Sequence, residues 1–113
     1  MTQVPNRGDL VYLNFSPQSG HEQRGRRPAI VLSPKSFNDL TGFSVVCPIT
    51  TQQKGYPFEV EIPYGLAING VILTDQVKSL DWRSRGLNIE GQAPEETIIE
   101  CLNLISTFLL IEE

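Results

Sequence analysis

Short runs of β-forming residues, each broken by glycine, proline or a polar cluster, fill most of this chain, and one helical period closes it. Residues 9–15 (DLVYLNF) follow Gly8 and read as a strand rich in β-formers. Residues 28–33 carry the buried-strand run AIVL, and residues 43–50 form another apolar run that ends in a polar stretch around Gln52, Gln53, Lys54 and Gly55. Residues 58–62 (FEVEI) alternate with period two, which marks a half-buried strand. Residues 71–74 and 77–80 continue the series, 87–90 add a short strand, and 36–40 offer one helical turn before Thr41-Gly42. From Pro94, placed as a first helical residue with Glu95 and Glu96 in the first turn, the period changes. Ile98, Cys101, Leu102, Ile105, Phe108 and Leu109 then recur at three- and four-residue spacing on one helical face. Strands this short need several neighbours and a covered face to be stable. The expected fold is therefore mainly β with a C-terminal helix: a small, strongly curved antiparallel barrel capped by that helix.

Length sets the scale. At 113 residues the chain is expected to be a single domain, 1–113, able to build its own core. No apolar stretch is long enough to span a bilayer, and the N-terminus lacks the charged and apolar regions of a signal peptide, so the expected location is the cytoplasm. Two cysteines, Cys47 and Cys101, and one histidine leave no disulfide framework and too few soft ligands for a zinc cluster. Both cysteines sit in apolar runs and are expected to be buried and inert. No metal and no cofactor are expected. The net charge of −4 conceals an asymmetry. Residues 1–85 hold all nine Lys and Arg against seven acids, whereas residues 86–113 hold six acids and no Lys or Arg. The body can thus present a basic surface to phosphate while the tail carries the acidity.

The densest polar cluster is GHEQRGRRP at residues 20–28, which gathers a carboxylate, an imidazole and three guanidinium groups. Taken by themselves these residues admit two readings. One is a solvated loop with surface ion pairs; the other is a phosphodiester site, since arginine forks suit phosphate and a carboxylate can take a proton.

These residues do not stand alone. Gly8-Asp9-Leu10-Val11, Gly20-His21-Glu22-Gln23, the run from Arg27-Pro28 through Leu32-Ser33, Pro48-Ile49-Thr50-Thr51, Lys54-Gly55-Tyr56-Pro57-Phe58-Glu59-Val60 and Asp75-Gln76-Val77-Lys78-Ser79 occur in order. In this pattern the chain resembles the MazF/PemK (Kid) family of toxin endoribonucleases from toxin–antitoxin pairs, and most closely its MazF branch. The resemblance implies an SH3-like barrel, a homodimer, and metal-independent, sequence-specific cleavage of single-stranded mRNA at a short site such as ACA, with arrest of translation and growth. It implies as partner an antitoxin of the MazE kind with an acidic, disordered segment. Glu22 falls at the family's catalytic glutamate and Arg27 at its catalytic arginine, while Thr50 matches a threonine that lines the site. His21 and Asp75 match two working groups of the Kid branch, whose arginine is replaced by Leu73 here; both stand as assisting candidates. Arg24, Lys54, Tyr56, Gln76, Lys78 and Arg85 are the candidate RNA contacts. Tyr56 and Trp82 offer rings for base stacking, with plain packing an equal reading for Trp82.

The implied chemistry suits these groups. The 2′-hydroxyl of the RNA attacks the adjacent phosphorus, Glu22 accepts its proton, and Arg27 stabilises charge on the phosphorane oxygens. The products would be a 2′,3′-cyclic phosphate, or its hydrolysed 3′-phosphate, and a 5′-hydroxyl. The proton for the departing oxygen has three candidate sources: His21, water and Arg27. The competing reading is a toxin of the same fold that acts by binding a protein such as DNA gyrase, without cutting RNA, since fold alone does not decide function.

Overall fold

The structure, a computed structural model, describes residues 3–16 and 25–110. The element order is β1 (Asp9–Asn14), β2 (Arg26–Val31), α1 (Lys35–Thr41), β3 (Phe43–Thr50), β4 (Glu59–Glu61), β5 (Val71–Leu73), β6 (Lys78–Asp81), β7 (Asn88–Gln92) and α2 (Glu95–Leu109), with 3₁₀ turns at Thr74–Gln76 and Trp82–Ser84. Every strand pairing is antiparallel, in the order β4-β5-β3-β2-β1-β7, and β6 also pairs with β3. This is the expected mainly-β fold with a C-terminal helix, in which the curved sheet of the described residues stays open between β4 and β7 rather than closing into a full barrel.

Alternation along the strands gives the sheet two buried faces. Leu10, Ile30, Cys47, Ile49, Val60 and Ile72 point to one of them and meet Cys101 and Ile105 of α2. Val11, Leu13, Ala29, Val31 and Val46 point to the other, with Phe15, Leu80, Trp82 and Leu87. Trp82 is buried, and its indole N–H donates to the Asn38 carbonyl of α1 at 2.9 Å. Packing is therefore its role, and it offers no ring for a base. Both thiols are fully buried; burial raises each pKa, that of Cys101 to about 12, which suits the inert role expected of them.

The helix begins one residue later than its sequence signals indicate. Pro94 is the N-cap, with extended ψ of 160° at α1's equivalent Pro34 and 159° at Pro94 itself. The reason lies upstream: the Ala93 N–H donates to the Gly8 carbonyl at 2.8 Å, which keeps the entering chain extended until Pro94 accepts the first helical bonds. Of the predicted apolar stripe, Cys101 and Ile105 are buried, whereas Leu102 in mid-helix and Phe108 and Leu109 at the C-terminal end remain exposed. No helix among the described residues is long and apolar enough to cross a membrane.

One irregularity places the site. Ile72 of β5 opposes Ile49 of β3, and Lys78 of β6 opposes Val46 of the same strand. Six residues on one side thus answer three on the other, so β5 and β6 behave as a single strand with three residues looped out. Those three are the turn Thr74–Gln76. An insertion of this kind re-aims side chains away from the ladder. Pro48, which has no N–H to leave unpaired, sits in the interval of β3 that the excursion leaves uncovered on that edge. At the far end of the β3–β5 ladder, Gly70 takes φ +122°, and a Cβ there would run into the carbonyl of Thr50. Only glycine lets the chain pass this close to Thr50.

Candidate active site

The excursion opens a pocket of about 530 Å³ whose walls include Thr50, Lys54, Tyr56, Asp75, Gln76 and Lys78. Two links tie the excursion to the segment at 51–58. Thr74 is buried, and its hydroxyl donates to the Phe58 carbonyl at 2.6 Å. One residue on, the Tyr56 hydroxyl donates to Asp75 Oδ2 at 2.7 Å. That bond to the Asp75 carboxylate raises the Tyr56 pKa, with smaller help from burial and from the charge of Glu59. Tyr56 is thereby held as a neutral donor, and one oxygen of Asp75 is engaged in holding it.

Glu59, at the start of β4, shapes the same segment from below. Its carboxylate accepts the N–H of Lys54 at 3.0 Å and that of Gly55 at 2.9 Å. Gly55 adopts φ +79°, a conformation that aims these two amides at one acceptor. Bonds from amides to an ionised carboxylate are roughly twice as strong as neutral ones. Glu59 therefore fixes where Lys54 leaves the backbone. The Thr50 hydroxyl oxygen accepts the Gln52 N–H at 3.1 Å, which leaves its own proton to donate. Gln76 is half-buried, and its Oε1 is enclosed without a hydrogen-bond partner.

Strand register relates this pocket to Arg27. On β2, Arg27 opposes Leu13 of β1 and is exposed. The β2–β3 register pairs Ala29 with Pro48, so its continuation by two residues sets Arg27 opposite Thr50. Arg27 shares its strand face with Ala29 and Val31, and Lys78 lies opposite Val46, all on the face of the second buried cluster. Arg27, Thr50 and Lys78 thus belong to one side of the sheet. The Lys78 ammonium stands 5.9 Å from the centre of the Phe15 ring, a cation–π distance that joins the pocket to the end of β1.

Of the residues singled out from sequence, Thr50, Lys54, Tyr56, Asp75, Gln76 and Lys78 are brought together in the pocket. Arg27 stands on the neighbouring strand. Arg85 is not on the pocket wall: its guanidinium faces the carbonyls of Asn14 and Ser16. His21, Glu22 and Arg24 lie outside the described residues. Sequence reasoning missed Glu59, whose alternation in FEVEI reads as a solvent face, although the neighbouring Gly55 signals a turn whose amides need an acceptor.

With the fold and pocket in view, comparison with known proteins identifies the class. Residues 6–109 match the family described as PemK-like, MazF-like toxin of type II toxin–antitoxin systems, and the chain belongs to that family. It is 53% identical over 94 residues to the endoribonuclease toxin MazF of Escherichia coli (strain K12), a match covering 82% of this chain and 84% of that protein. Its fold is similar to that of MazF from Deinococcus radiodurans, with TM-score 0.92 and 49% identity over 96% of this chain and 98% of that one. A MazE–MazF complex from the same organism is also similar, with TM-score 0.85 and 44% identity over 96% and 97% of the two chains.

Proposed function

We propose that this chain, an endoribonuclease toxin of a toxin–antitoxin pair, cuts single-stranded mRNA in the cytoplasm by attack of the RNA's own 2′-hydroxyl, at a short site such as ACA. One observation carries the reading. Arg27, Thr50 and Lys78 share a sheet face beside a polar pocket, in a chain 53% identical to a protein named an endoribonuclease toxin.

In the proposed route Glu22 takes the proton of the 2′-hydroxyl as its oxygen bonds to phosphorus. Arg27 donates to the non-bridging oxygens, where negative charge accumulates. The bond from phosphorus to the 5′-oxygen then breaks, and that oxygen is protonated by His21, by Arg27 or by water. The ends are a 2′,3′-cyclic phosphate or its 3′-phosphate, and a 5′-hydroxyl. No step of this route calls for a metal. Thr50 is assigned a hydroxyl proton to offer near Arg27, and Tyr56, bonded to Asp75 at the pocket wall, is assigned to stack on a base. Arg24 is assigned to the RNA strand with Lys54 and Lys78. The test is incubation of the purified protein with a long RNA in EDTA, followed by chemical mapping of the ends. Cyclic or 3′-phosphate ends at a recurring short sequence are expected; intact RNA would favour a toxin that works by binding a protein.

The basic body, rather than the acidic C-terminal part, is proposed as the RNA groove. Replacing Lys54 or Lys78 with Ala should weaken RNA binding and make its logarithmic salt dependence shallower by about 0.7 for each phosphate contact removed. The control substitution Glu100→Ala should leave the slope unchanged. Binding titrations over a range of salt concentrations check both, and slopes equal to wild type in both lysine variants would move the groove elsewhere.

A homodimer is part of the same reading. Exposed Leu102 and Leu109 of α2 line an apolar groove of about 360 Å³ with Phe37 and Pro34, a face suited to burial against a second copy. Light scattering should give twice the 12.6 kDa of one chain. The antitoxin would lay its acidic, disordered segment over the basic groove and exclude RNA from it.

A further inference from the structure

The two stems of the segment at 17–24 are joined by a reciprocal clamp that the proposed chemistry does not use. Arg85 follows the 3₁₀ turn Trp82–Ser84, and its Nη1 donates to two carbonyls at the end of β1: Asn14 at 3.0 Å and Ser16 at 2.9 Å. The Asn14 N–H returns a bond of 3.0 Å to the Arg85 carbonyl. From the other stem, Arg26 Nη1 donates to the carbonyl of Gly86 at 2.8 Å. The stems are also bonded to each other, with Phe15 N–H to the Gly25 carbonyl at 2.7 Å and Gly25 N–H to Ser16 Oγ at 3.3 Å. Residues 85 and 86 thus grip both strands, one guanidinium in each direction. The Nε of Arg85 is enclosed without a hydrogen-bond partner. The fold accepts that cost at a side chain whose head group holds main chain.

A guanidinium that contacts phosphate presents both arms of its fork to it, whereas here Nη1 is spent on two main-chain carbonyls. We propose that Arg85 is a positioning residue for RNA cleavage: by holding the end of β1 it fixes the register that seats Arg27 opposite Leu13. The inference rests on the role of Arg27 proposed above, and it replaces a groove contact for Arg85. Reacting groups held by such stems are sensitive to small displacements, and an error of about 1 Å in placement costs on the order of 10²-fold in rate.

The experiment compares wild type, Arg85→Ala and Arg85→Lys. It measures steady-state cleavage of one single-stranded RNA, binding of its 2′-O-methyl copy at several salt concentrations, and the thermal midpoint. Arg85→Ala is expected to lower kcat by about 10²-fold, with KM, affinity and salt slope within about twofold of wild type. Arg85→Lys keeps the charge but lacks the planar fork, so it should recover at most about tenfold of the lost kcat. The opposite pattern overturns the proposal: a raised KM and a shallower salt slope in Arg85→Ala, both restored by Lys, would make Arg85 a phosphate contact. Wild-type kcat in Arg85→Ala overturns it too. If the alanine variant does not fold, Arg85→Lys decides, a low kcat at normal KM supporting the proposal and a wild-type kcat refuting it. A wild-type chain that cuts no RNA overturns the endoribonuclease reading and this inference with it, and the wild-type arm separates that result from failure at Arg85 alone.

Discussion

Glu22→Gln is expected to lower RNA cleavage by about 10²–10⁴-fold, the range that a positioned general base contributes, while RNA affinity stays within a few-fold of wild type. The argument is one of proton accounting. In the proposed route the 2′-hydroxyl loses its proton as it bonds to phosphorus, and a carboxylate accepts that proton where an amide does not. Glutamine keeps the length and shape of the side chain, so contacts made by the rest of the groove survive the exchange. A loss confined to the chemical step should appear as a fall in kcat with little change in KM. Single-turnover cleavage of a short RNA, with binding measured in parallel on a 2′-O-methyl copy, checks the prediction. Full cleavage by Glu22→Gln would remove Glu22 from the mechanism.

Much of the frame that carries this chemistry was legible in the chain. Alternation in FEVEI and the apolar runs at 28–33 and 43–50 located β4, β2 and β3, because a strand's period is a local property. What local pattern does not contain is register between distant residues. Residues 71–74 and 77–80 read as two strands, and nothing in them says that both lie along the same edge of β3 with three residues expelled between them. Yet that expulsion creates the pocket. The helix shows the same division. Its period identifies Cys101, Leu102, Ile105 and Leu109 as one face, but only Cys101 and Ile105 of these pack into the sheet's core, a tertiary contact the period does not contain. The candidate contacts divide likewise. Lys54, Tyr56, Asp75, Gln76 and Lys78 line one pocket, because the excursion and the Glu59-braced segment bring their two stretches together. Arg85 is drawn instead to the carbonyls of Asn14 and Ser16, some seventy residues earlier in the chain.

Arg27 tests the other half of the chemistry. Arg27→Ala should cost about 10²–10³-fold in kcat, the loss seen when one donor to a developing anion is removed. Arg27→Lys should recover little of it. Arginine presents a rigid planar fork that meets two phosphoryl oxygens at once, whereas an ammonium is a single point of charge on a flexible stem. The placement favours the fork: Arg27 stands on β2, held by its pairing with Leu13, and the register of β2 on β3 carries it to the level of Thr50. A strand residue paired in a ladder has its starting point fixed, here by β1, so its head group arrives without a large ordering cost. If the role were electrostatic attraction of RNA instead, lysine would serve nearly as well, and both variants would differ from wild type chiefly in KM and in salt slope. Single-turnover rates at saturating RNA, measured for both variants beside their binding isotherms, separate the two. Near-wild-type kcat in Arg27→Lys would assign Arg27 to binding and leave stabilisation of the phosphorane to other donors, of which Thr50 and Lys78 share its side of the sheet.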